Sequence, residues 1–162
     1  MRPGRRIRRT RNGEYALRFP QDERTILHGL PAELRTLLGS PDEPAAERLF
    51  PPAYAEDADR EQEYRLLAHS ELVEGKLAAL ERMEATIDAQ RITEEQLLGW
   101  LSVLNDLRLV LGTRLDVTEE LRLDQIAPDD PQAAAYAMYG YLTWLEDQAI
   151  EALSAGGVAQ DA

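Results

Sequence analysis

The sequence predicts a mainly α protein, a helical bundle of about four to five helices with an N-terminal β-hairpin. Three observations lead there. Apolar residues recur at helical spacing over 57–88, from Thr93 through 116, and over 131–153. No proline interrupts the chain between Ala53 and Ala127. Only one segment, residues 5–19, alternates with the period of a strand. With 162 residues and 44% apolar content, the chain can bury one sizeable core. A single domain over 1–155 is expected, followed by a flexible tail at 156–162.

In the hairpin, Tyr15, Leu17 and Phe19 alternate after the turn signal Asn12-Gly13. A two-residue loop would pair Arg8 with Leu17 and send Ile7 to the opposite face. A three-residue loop, Arg11–Gly13 with Gly13 left-handed, pairs Ile7 with Leu17 and keeps the apolar residues together. The second register is favoured. Asp22 is then expected to cap a helix carrying Ile26 and Leu27, which Gly29-Leu30-Pro31 breaks or kinks before "PAELRTLL" resumes. A DNA-reading helix-turn-helix and an ordinary kinked helix both give this string. Residues 39–56 hold Pro41, Pro44, Pro51 and Pro52 together with Phe50 and Tyr54. They form either a connector docked on the core or a loop offering Phe50 and Tyr54 to a partner.

The long helix over 57–88 places Leu66, Val73, Leu77, Leu80, Met83 and Ile87 on one apolar face, and His69 on that same face, as a hydrogen-bonded core or boundary group rather than a ligand. Thr93 and Gln96 form a capping box that opens the next helix. That helix has apolar residues on two sides and should lie centrally. Asn105 and Arg108 fall within its second stripe, as structural polar groups of the core. Arg108 should be paired there, because an isolated buried charge costs several kcal/mol. Asn105 should cross-link two segments, while Ser102 and Asp106 look outward. Beyond an irregular piece around "VTEELRLDQI", Asp130 and Pro131 open the last helix. Its core face is Met138, Tyr141, Leu142, Leu145, Ala149 and Leu153. Tyr136, Tyr139 and Trp144 widen that face, as core or as an aromatic partner surface.

Chemistry is harder to find. There is no cysteine, so disulfides, thiolate nucleophiles and zinc-thiolate sites are excluded. No serine sits in a Gly-x-Ser-x-Gly elbow, and no phosphate-binding glycine loop appears. Thr25 and Leu66 precede His28 and His69 by three, which removes the Glu-x-x-His metal motif. Catalytic, cofactor and metal residues are therefore not assigned, and a non-enzyme is expected. No membrane span or signal peptide is expected, and a cytoplasmic location fits. Charge is uneven: six arginines precede the first acid, Glu14, and the remaining 12 basic residues against 30 acidic leave −18. Arg5, Arg6, Arg8 and Arg9 are the candidate nucleic-acid contacts. Equally, a basic hairpin of this kind can neutralise its own acidic body.

Three strings, "RLFPPAY" at 48–54, "LNDLRLVLGTRLD" at 104–116 and "YLTWLEDQAIEAL" at 141–153, carry a resemblance over most of the chain. The sequence resembles an actinobacterial family of unknown function commonly encoded beside the Clp protease adaptor ClpS. Some members are described as AosR-type oxidative-stress regulators acting through a sigma factor. The resemblance implies a helical domain and a regulatory role with protein partners. It also implies, for redox-responsive members, two cysteines separated by three residues, which are absent here. The expected function is a regulator or adaptor binding a sigma factor or Clp machinery, as monomer or homodimer. A DNA-contacting regulator using the arginine arm is the alternative.

Overall fold

A computed structural model describes residues 4–39, 44–50, 54 and 56–160, with side chains through 155. Arg2, Pro41, Pro51, Pro52 and residues 161–162 lie outside the described residues. Among the described residues the architecture is mainly α, with four α-helices, two short 3₁₀ turns and a small antiparallel sheet. Strands β1 (Ile7–Arg9) and β2 (Tyr15–Leu17) form the hairpin. Ile7 pairs with Leu17, as the three-residue loop requires, and Gly13 has φ 82°. Thr10 N–H closes the loop onto the Glu14 carbonyl at 2.7 Å. A third strand, β3 (Arg91–Ile92), was not expected and pairs with β2. It is two residues long and sits immediately before a helix cap, too short to show any period.

Helix α1 (Gln21–Leu38) runs unbroken through Gly29-Leu30-Pro31, which corrects the expected break. Leu27, Leu30, Leu34 and Leu37 form one buried stripe on both sides of Pro31, itself buried, and this shared packing overrides the proline's local cost. Pro20, with no side-chain cap, occupies the N-cap position expected for Asp22. Helix α2 (Ala58–Thr86) is capped by Asp57, whose carboxylate accepts from Arg60 N–H. Thr93 and Gln96 make both hydrogen bonds of the capping box that starts α3 (Glu94–Arg114). That helix ends on Asp116 in the left-handed region, φ 53°, with Val117 N–H returning to the Gly112 carbonyl. Asp130 shapes the turn leading into α4 (Ala133–Gln160) by accepting from Gln132 N–H at 2.7 Å. The backbone of α4 is helical past residue 156, where the tail was expected to begin.

Helix α3 lies between α2 and α4, and the sheet packs on α4. Trp100, at 0% exposure, is stacked on Phe19 with ring centroids 5.8 Å apart. Its indole N–H donates to the Thr86 hydroxyl at 2.7 Å. Gln148 of α4 accepts the Arg6 and Ile7 backbone N–H groups through Oε1, so α4 covers the outer edge of β1.

Candidate partner-binding surface

Three contacts set the register of α2 against α3. Thr86 meets Trp100, a Cβ on Gly99 would lie 3.2 Å from the Arg82 Cβ, and Lys76 meets Asp106. The helices are antiparallel, and at 1.5 Å per residue the last residue of α3 comes level with roughly residue 68 of α2. The first turns of α2 therefore extend beyond α3, with Glu61, Tyr64 and His69 toward Phe50 and the end of α1 and the opposite face open. Leu66 is 77% and Leu67 74% exposed, although Leu66 was expected in the core. Leu80, Met83 and Ile87 do form the buried face, with Val73 and Leu77 half-buried. The helical period identifies an apolar stripe but not how far the neighbouring helix reaches along it.

The connector aromatics lie beside this overhang. Phe50 is half-buried, its ring 4.8 Å from exposed His69 and 5.9 Å from the Lys76 ammonium. Tyr54 is exposed and meets Tyr64 edge-on at 6.1 Å, with Arg60 5.9 Å over its ring. An open cleft of ≈ 790 Å³ runs along this side of α2, walled by Tyr54, Ala58, Glu61, Arg65, Leu66 and His69 among others. Tyr54, Ala58 and Leu66 give the cleft apolar surface among the polar and charged side chains of Glu61, Gln62, Arg65, His69 and Ser70.

The aromatic residues of α4 are placed differently. Tyr139 packs where Gly112 leaves room, since a Cβ on that glycine would come within 3.2 Å of its ring. Trp144 lies under the Arg6 guanidinium, 5.3 Å away, and beside Tyr141. Tyr136 is half-buried nearer the start of α4.

Two of the four candidate nucleic-acid arginines are engaged within the fold. Arg5 pairs with Glu151 at 2.9 Å. Arg6 holds both oxygens of Glu23, which also accepts the Tyr141 hydroxyl at 2.8 Å. Burial raises the Glu23 pKa, but the Arg6 and Tyr141 hydrogen bonds outweigh it and hold the carboxyl below its ordinary range. Arg8 is exposed and Arg9 half-buried, and among the described residues neither forms an ion pair.

The polar groups of α3 face its two neighbours. Arg108 Nε lies 2.8 Å from Glu146 Oε2 on α4, a charge contact without hydrogen-bond alignment. Asp106, expected to look outward, is 5% exposed and receives the Lys76 ammonium at 2.9 and 3.1 Å. Burial raises the Asp106 pKa and Lys76 opposes the shift. The packing of α2 across this face is the reason for the difference. Asn105 is half-buried, and among the described residues its side chain hydrogen-bonds no other segment. The expected cross-link is made by Arg108 instead. Among the described residues no three metal-ligating side chains converge, and no helix is long and apolar enough to cross a membrane.

Residues 1–153 match the family described as Domain of unknown function (DUF2017). The chain belongs to the DUF2017 family. It is 26% identical over 154 residues to the "Putative oxidative stress regulator AosR" of Mycobacterium leprae, covering 84% of this chain and 69% of that protein. It is 28% identical over 125 residues to the "Oxidative stress regulator AosR" of Mycobacterium bovis and of Mycobacterium tuberculosis. Those matches cover 66% of this chain and 56% of each relative, so the DUF2017 chain spans somewhat over half the length of these two curated proteins. No solved structure matches it.

Proposed function

We propose that this DUF2017 protein is a non-enzymatic cytoplasmic regulator of an oxidative-stress response. It acts by binding a protein of the transcription machinery, a sigma factor, or a component of Clp proteolysis. The overhang of α2 carries the reading: two leucines about three-quarters exposed on a helix end that outruns α3, with Leu66 lining one cleft with Tyr54. Keeping that much apolar surface in water is unfavourable unless a partner covers it, at roughly 25 cal/mol per Å². The relatives' names supply the oxidative-stress context. The chain has no cysteine, so a response to oxidation cannot run through thiols of its own.

The test is capture from the native host with wild type and with the Leu66→Glu/Leu67→Glu variant. Retained proteins are identified, then binding is reconstituted from purified components. A sigma factor or Clp component bound by wild type and lost in the variant, with unchanged melting temperature, is the expected result. Identical capture by both proteins would remove the overhang from the function.

A further inference from the structure

The sheet register groups arginines around one alanine. Arg8 is directly opposite Ala16, and Ala16 is directly opposite Arg91. Directly opposed residues of antiparallel strands point to the same face. Ile7, Tyr15, Leu17 and Ile92 occupy the other face and are buried. Arg8, Ala16 and Arg91 thus form a row across the outer face, with the two arginine Cα atoms roughly 10 Å apart, twice the strand spacing. Arg18 follows Ala16 by two residues, at the next position on that face, and its N–H bonds the Arg6 carbonyl at 2.8 Å. Ala16 is half-exposed and leaves the middle of the row open, while Arg8, Arg18 and Arg91 are all exposed.

Like charges set side by side on a sheet repel. Several arginines of this acidic chain find carboxylates, Arg5 with Glu151, Arg6 with Glu23, Arg82 with Glu95 and Arg108 with Glu146, while among the described residues Arg9, Arg11, Arg48 and Arg122 form no ion pair. Among the described residues Arg8, Arg18 and Arg91 form no ion pair, although Glu14 occupies the position two before Ala16 on the same face. What sets these three apart from the other unpaired arginines is the register, which gathers them on one sheet face where a single anionic segment can meet all of them.

We propose that Arg8, Arg18 and Arg91 form an oxyanion-binding row over Ala16 that docks a carboxylate-rich segment of a protein partner. The proposal rests on the protein-binding reading above and adds a second surface to it. A peptide segment fits better than a duplex. Duplex DNA is a stiff rod with a charge about every 1.7 Å, so only a few of its phosphates can meet so small a row while the rest face a chain of net charge −12. A flexible peptide can instead bend to bring a few neighbouring carboxylates onto the row.

The probe is a fluorescein-labelled decaglutamate peptide, followed by anisotropy with the whole chain, beside a mixed-sequence 20-base-pair duplex. Peptide binding should weaken at least tenfold in the Arg8→Glu/Arg91→Glu variant. It should weaken similarly in Ala16→Glu, whose own carboxylate enters the row, with a melting temperature at or above wild type. Equal peptide binding by wild type and both variants would overturn the proposal. So would tighter binding of the duplex than of the peptide, or a melting temperature lowered by Ala16→Glu. The measurement needs no native partner. Loss of the peptide effect while capture through Leu66 and Leu67 persists removes the row alone. Peptide binding without any captured protein supports the row and removes the reading of the overhang.

Discussion

The Thr86 hydroxyl donates to the Arg82 carbonyl at 2.7 Å and accepts the Trp100 indole N–H at the same distance, with both residues buried. Thr86→Val keeps the shape and removes the acceptor, leaving the indole N–H without a partner. It should cost about 1–3 kcal/mol in urea unfolding, the penalty of an orphaned buried donor. Thr86→Ser retains the hydroxyl and should recover most of that loss. Equal stability of the two variants would show that the indole bond contributes nothing. None of this was legible beforehand, because Thr86 reads as one polar residue near a helix end and its partner lies 14 positions away. Arg108 was more legible. A guanidinium inside an apolar stripe demands a carboxylate, and Glu146 supplies it. Asp106 escaped because the choice between solvent and core depended on where Lys76, 30 residues earlier, would lie.

At the scale of elements, what was legible was local. The Ile7–Leu17 register followed from one loop-length argument, and the start of α3 followed from Thr93 and Gln96. What escaped was decided by neighbours: α1 stays whole because one stripe packs through Pro31, and α2 overhangs because α3 stops first. The candidate surface was half visible for the same reason. Phe50 and Tyr54 stand out by composition, whereas Leu66 looked like core. The overhang divides α2 energetically. Leu80→Ala, at a fully buried position, should cost about 2–5 kcal/mol. Leu66→Ala should stay within about 0.5 kcal/mol. Hydrogen exchange should show the same gradient, with weak protection over 58–67 and strong protection over 79–86. A Leu66→Ala cost above about 2 kcal/mol would mean that the overhang is packed in solution.

For the whole molecule, acidity sets how stability responds to pH. The chain carries −12 at pH 7, so self-repulsion falls as acid is added. Asp106 and Glu146 have pKa values raised first by burial, opposed by Lys76 and Arg108. Each binds its proton more tightly folded than unfolded, so the cost of keeping it ionised disappears as pH falls through the raised value. Glu23 behaves oppositely. Its folded pKa lies below the unfolded value of about 4.3. Its contribution is present above that value and is lost as pH falls through the folded pKa, leaving Arg6 without its carboxylate and loosening the tie from hairpin to α1 and α4. The melting temperature should therefore rise or hold level from pH 7.5 to about 5, then fall below about pH 4. Glu23→Gln should melt lower at pH 7 and show a shallower fall in acid. A steady decline from pH 7.5 to 5, or an acid limb unchanged in Glu23→Gln, would show that these three carboxylates do not govern the response.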